Sequence, residues 1–165
     1  MRASSLVGNR GSSDTTRRAR SQHLAIELQI ATRAVQAPTV GQIRRWVRAA
    51  LGRPGEITVR IVGAAEARRL NRRYSGHDYA TNVLSFAYAL SARLVHGDIV
   101  LCGPVIAREA RDRGKSVDAH FAHLTVHGLL HLQGHEHSGS RNALRMEALE
   151  KRILGKLGYP DPYAA

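Results

Sequence analysis

The sequence predicts an α+β domain built on one mixed β-sheet. Three observations lead there: four short segments read as strands, four or five longer ones read as helices, and the two kinds do not alternate regularly. A length of 165 residues suits one domain with its own core, and no internal repeat is visible. The domain is expected over 23–165, after an N-terminal extension at 1–22.

That extension, MRASSLVGNRGSSDTTRRARSQ, is rich in Ser, Arg and Gly, has no hydrophobic period and is expected to be disordered. It lacks the apolar run of a secretory signal. Its composition has a faint likeness to a transit peptide, without the amphipathic pattern. From residue 23, HLAIELQIA alternates and puts Leu24, Ile26, Leu28 and Ile30 on one face of a half-buried strand. Pro38 ends the segment that follows. Val40, Ile43, Trp46, Val47, Ala50 and Leu51 then recur at helical spacing, with Arg44, Arg45 and Arg48 on the water side. The turn GRPGE leads into a second strand, ITVRIVG, in which Arg60 faces opposite to Val59 and Ile61. Residues 64–73 read as a short helix and 74–82 as a loop. VLSFAYAL and VHGDIVLC are two further strands. Helices are expected at 105–113, at 117–133 before the breaking Gly134, and at 140–157, the last with Leu144, Leu149, Ile153 and Leu157 inward.

No segment approaches the roughly 18 apolar residues of a membrane helix, which points away from a membrane protein. A lone cysteine, Cys102, sits in the apolar run IVLC, where it reads as a small buried hydrophobe. It makes no internal disulfide, and a reducing cytoplasm is the expected compartment. The net charge is +12, carried by 22 arginines and three lysines. The extension holds +4 of it, five arginines against one aspartate, so +8 stays on the body. Such a balance favours polyanionic partners, RNA above all, although an arginine-biased solvated surface gives the same total.

The stretch HLTVHGLLHLQGHEH, residues 123–137, holds five of the nine histidines. His127 and His131, four apart on a helix, share a face. Gly134 supplies a left-handed turn that lets His137 reach back toward them. Three neutral imidazoles suit Zn²⁺ and leave its fourth position for water, as in catalytic sites; Ni²⁺, Co²⁺ and Cu²⁺ accept the same donors. The site would keep its full positive charge, acidify a water and polarise a phosphoryl oxygen. His123 and His120 lie one and two turns earlier on the same stripe, suited either to orienting a ligand or to packing. His135 is left out of the site. Zinc peptidases share this H-x3-H-x2-G-x2-H spacing but carry a glutamate base after the first histidine. Here that position is Gly128, and Glu136 falls on the far side of the turn.

The run HGLLHLQGHEH resembles the signature of the YbeY family of metal-dependent endoribonucleases, which act in ribosomal RNA maturation and ribosome quality control. The likeness extends to VRIV around Arg60, NRRY, TNVLSF, HGDIVLC and LGYPDPY, in that order. It implies one Zn²⁺ per chain on His127, His131 and His137, and a central metal-binding helix against a four-stranded mixed sheet. It also implies single-stranded RNA, such as the 16S precursor, as substrate. Arg60 would lie near the metal and hold phosphate, so that these four residues form the catalytic set. The small ribosomal subunit and assembly factors are implied partners. Tyr74 to Thr81 depart from the basic loop usual in the family, losing three cations and a proline, so the grip on RNA is expected elsewhere, for example at Arg68, Arg69, Arg72 or Arg73. Whether water or a 2′-hydroxyl attacks is left open, and a ribosome-assembly RNA-binding factor with a structural zinc is the alternative.

Overall fold

A computed structural model describes residues 23–90 and 93–165, so the extension at 1–22 lies outside the described residues. In chain order the elements are β1 (Leu24–Ile30), α1 (Val40–Ala50), β2 (Gly55–Val62), α2 (Ala64–Ser75), β3 (Val83–Leu90), β4 (Val95–Cys102), α3 (Gly103–Asp112), α4 (Val117–Leu132) and α5 (Ser140–Lys156). The strands form one sheet in the order β1-β2-β4-β3. β1, β2 and β4 run parallel and β3 closes antiparallel on β4, which makes the sheet mixed.

Strand alternation divides the chain between two faces. Ile57, Val59, Ile61, Ile99 and Leu101 point toward α1, α4 and α5 and join Ile43, Trp46, Phe121, Leu129 and Leu154 in the main core. Val62, Val100 and Cys102 point the other way, against Ala67 of α2 and Val105 of α3. Cys102 is buried as its apolar context predicts, and burial pushes its thiol up, away from nucleophilic use. α4 runs through the middle of the molecule and is buried along nearly its whole length. Ser116 caps its start by accepting from the Ala119 N–H, and Gly134, at φ +89°, turns the chain at its end.

Two glycines set how closely α4 lies on the sheet. A Cβ at Gly97 would sit 2.5 Å from the Phe86 carbonyl oxygen and 2.7 Å from Leu132. One at Gly128 would sit 3.0 Å from Ser85 Oγ and 3.3 Å from Ile99. The helix rests where side chains would otherwise hold it off, and this fixes the height of the histidines it carries.

Some expectations need correction. Ile30 is 55% exposed, because β1 is an edge strand and the core covers it only as far as Leu28. Leu144 is 67% exposed; the inward side of α5 is instead Met146, Glu150, Ile153 and Leu154. α3 starts at Gly103 with Pro104 in its first turn, where no N–H is needed. α2 runs two residues beyond the expected 73, to Ser75. Arg45 does not simply face water: its Nη2 donates to the Leu157 carbonyl at 2.5 Å, satisfying an otherwise open group at the end of α5.

Candidate metal centre

His127 and His131 project from adjacent turns of α4, and the turn at Gly134 returns the chain so that His137 meets them. His131 Nε2 lies 3.1 Å from His127 Nε2 and 3.1 Å from His137 Nδ1. These contacts are not a satisfied hydrogen-bond network, since one hydrogen on His131 Nε2 serves only one of its two neighbours. A cation explains them better. Zinc–nitrogen bonds of about 2.0–2.1 Å at tetrahedral angles place donors about 3.3–3.4 Å apart. The observed spacing falls within a few tenths of an ångström of that, so the residues fit the group. His127 and His131 are half-buried and His137 is exposed, which leaves an open side. Burial, then the neighbouring imidazoles, hold His131 below the ordinary histidine range and keep it neutral as a ligand must be.

A second layer of contacts orients the first ligand. His127 Nδ1 donates to Glu150 Oε1 at 2.5 Å, which leaves Nε2 bare and facing the other imidazoles. Glu150 comes from α5 and is fully buried. Its other oxygen accepts from the Tyr163 hydroxyl. His123 Nε2 stands 3.5 Å away with no well-formed hydrogen bond of its own, its ring edge-on to Tyr163. Burial pushes the Glu150 carboxyl up, but His123, His127 and Tyr163 together outweigh it and hold the group at about 2. Burial and the same carboxylate push the Tyr163 phenol well above its usual value. The site is thus pinned by a permanent buried anion.

His120 lies apart from this cluster. It is buried against Glu109 of α3 at 2.7 Å, and the same carboxylate accepts from Asn82, so its role is to tie α3 to α4. His123 sits between the two groups. His135 is turned away, its backbone N–H bonded to the Leu130 carbonyl as part of the turn. Glu136 is exposed and accepts from Ser138. The Cβ position of Gly128 faces Ser85 and the sheet, so the place of a peptidase's glutamate has no room for one.

Arg60 is not brought to the histidines. It lies on the sheet face opposite Val59 and Ile61, hence opposite α4, where Nε and Nη2 donate to Glu66 at 2.9 and 3.2 Å and Nη1 to Gln29 at 3.1 Å. The resemblance places Arg60 near the metal; here its guanidinium is held by Glu66 and Gln29. Among the arginines of α2, Arg68 is paired with Asp78 at 2.8 Å, and Arg73 stacks over Tyr74 at 5.4 Å.

Sequence reasoning missed Glu150 and Tyr163. A signal for the first was present: Glu150 falls in the apolar stripe of Met146, Ile153 and Leu157, where a carboxylate needs a partner. Tyr163 closes the run LGYPDPY, but its spacing gives no sign that it meets Glu150.

Fold and site together define a class: an α+β domain whose central helix and following turn present three imidazoles able to bind a metal ion. Residues 22–158 match the family described as Endoribonuclease YbeY. A protein named Endoribonuclease YbeY from Aromatoleum aromaticum is 57% identical over 147 residues, covering 87% of this chain and 95% of its own length. Another so named, from Methylibium petroleiphilum, is 52% identical over 141 residues, covering 86% and 93%. The chain belongs to the YbeY endoribonuclease family.

Proposed function

We propose that the protein is a zinc-dependent endoribonuclease of the cytoplasm that cuts single-stranded regions of ribosomal RNA precursors, in 16S maturation and ribosome quality control. In this reading residues 23–165 are one catalytic domain, and the small ribosomal subunit and assembly factors are partners. The observation that carries it is the convergence of His127, His131 and His137 at 3.1 Å contacts, with His127 oriented by Glu150.

One Zn²⁺ per chain would be held by these three histidines, and when bound it supplies Lewis acidity toward water and phosphoryl oxygen. The imidazoles contribute no negative charge, so the open side of the site attracts a phosphodiester rather than repelling it. Glu150 keeps a proton on His127 Nδ1 and the Nε2 lone pair turned to the site. The surplus of 25 basic over 13 acidic residues supplies long-range attraction for RNA.

The test is cleavage of single-stranded and duplex RNA before and after chelation, with metal content measured on the same samples. The expected result is about one zinc per chain and cutting of the single strand that chelation abolishes and zinc restores. Cutting that survives full metal removal would refute the reading. Full zinc with no cutting would favour the assembly factor with a structural metal.

Arg60 enters the proposal as a phosphate contact on the strength of the family resemblance, reaching RNA from its own sheet face. Its hydrogen bonds with Glu66 and Gln29 also favour a bracing role. Arg60→Lys keeps the charge but loses the forked geometry. A rise in KM for RNA at unchanged thermal stability is the expected result; a fall in stability with unchanged KM would leave only the brace.

A further inference from the structure

His127 belongs to two groups of donors. Its Nε2 side meets His131 and His137, while its Nδ1 meets Glu150 Oε1 at 2.5 Å, and His123 Nε2 stands 3.5 Å from Oε2 of the same carboxylate. The outer set is His127, His131 and His137; the inner set is His123, His127 and Glu150. Each brings its ligand atoms within 4.8 Å of one another, close enough to hold a metal ion. A neutral imidazole has a single lone pair, so His127 serves one set at a time. With its proton on Nδ1 it offers Nε2 to the outer set; with its proton on Nε2 it offers Nδ1 to the inner one. Only the outer set, through the exposed His137, has an open side for a substrate, whereas His123 and Glu150 are buried where α4 meets α5.

The segment after α5 biases this choice. Tyr163 donates to Glu150 Oε2, the oxygen nearest His123, and its ring stands edge-on to His123 with centroids 5.4 Å apart. The effect shows at His123, whose Nε2 is buried and has no well-formed hydrogen bond, because the oxygen beside it is already engaged. A buried polar atom left in that state calls for a reason. Three contacts hold the tyrosine in place. Lys115, just before α4, donates to the Pro162 carbonyl; the Tyr163 N–H donates to Asp161 at 2.8 Å; and Lys151 of α5 pairs with Asp161 at 3.6 Å. Tyr163 is 42% exposed, so its ring lies on the solvent side of His123.

We propose that Tyr163 is a positioning residue that assigns the metal to the outer set: its hydroxyl engages Glu150 Oε2, denies that oxygen to a cation beside His123, and keeps Glu150 as the acceptor for the Nδ1–H of His127. The inference rests on the zinc endoribonuclease reading and adds what selects between two seats for the ion. An oxygen that already accepts from a hydroxyl has less charge to offer a cation. Filling the inner set would also break the hydrogen bonds of Glu150 with His127 and Tyr163 together. An ion drawn inward would take the His127 lone pair with it and leave the open side two imidazoles, too few for a catalytic zinc.

The experiment uses the full chain and Y163F, which keeps the ring and loses the hydroxyl. Proton–nitrogen correlation NMR of the metal-free proteins reads the His127 tautomer; the wild type is expected to carry its proton on Nδ1 alone and Y163F to show a mixture. A gain of binding is the second readout. Zinc affinity is measured by chelator competition in H131A, which cripples the outer set, and in H131A combined with Y163F. The double variant is expected to bind zinc about tenfold more tightly than H131A, the lower end of what supporting contacts around a metal contribute. Adding H123A to it should abolish the gain. With the outer set intact, Y163F should lower kcat for RNA and leave KM unchanged. The same tautomer in both proteins overturns the inference, as does a double variant that binds no better than H131A. A tyrosine that only braces the fold would lower the melting temperature and leave tautomer and zinc affinity unmoved, which overturns it too. If Y163F does not fold, D161A, which loosens the segment but keeps the hydroxyl, takes its place with the same expectations. If the wild-type chain neither binds zinc nor cuts RNA, the endoribonuclease reading fails first; if it does both and Y163F leaves the tautomer unchanged, only this assignment fails.

Discussion

His131→Ala is expected to lower zinc affinity by more than about 100-fold, since loss of groups that merely support a ligand already costs 10–100-fold. RNA cleavage should disappear with the metal. His131 Nε2 is the middle donor, 3.1 Å from each of the other two, so its loss leaves a pair of nitrogens with no shared neighbour. The fold should survive. In the metal-free protein the three lone pairs face one another, and removing the central imidazole relieves that crowding, so the melting temperature without metal should hold or rise slightly. Competition against a chelator of known affinity, beside thermal unfolding of both metal-free proteins, reads the two quantities separately. Retention of one tightly held zinc by the variant would exclude the three-histidine site.

The second large effect is on Glu150. Glu150→Ala would leave His127 Nδ1 and the Tyr163 hydroxyl without their buried acceptor and remove the nearest charge to His123. Breaking a buried charged network by deleting one partner costs about 3–5 kcal/mol, and thermal unfolding should show a loss of that order. Glu150→Gln is the finer probe. The amide keeps the volume and one acceptor for His127 but gives up the negative charge. Zinc affinity should fall about 10–100-fold while most of the fold's stability is retained. Unchanged zinc affinity in Glu150→Gln would mean the carboxylate only fills the interior.

What could be read from the sequence was local. His127, His131, Gly134 and His137 lie within eleven residues, and helix geometry plus one turn brings them together without help from the rest of the chain. Strand alternation likewise separated Arg60 from Val59 and Ile61. Its partners were not legible: Gln29 comes from the neighbouring strand and Glu66 from the next helix, and pairing across elements leaves no periodic trace. Glu150 reaches His127, and Tyr163 reaches Glu150, through tertiary packing from two further segments, so only the misplaced charge on the apolar stripe of α5 hinted at either. Ile30 and Leu144 failed for the complementary reason. Their apolar character matched a stripe, but exposure is set by what covers a face, and sequence period does not show where the cover stops.

The route from His127 through Glu150 to Tyr163 also sets an order of events during synthesis. The three ligand histidines leave the ribosome before α5 is complete, and the tyrosine that closes the network emerges later still. A nascent chain can therefore display all three imidazoles while the first remains free to rotate. Its tautomer is imposed only when Glu150 of α5 has packed against it, and Tyr163 then closes over the same carboxylate beside His123. On the reading proposed above, firm uptake of the metal would wait for α5, and a chain cut short of Glu150 is expected to bind the ion loosely.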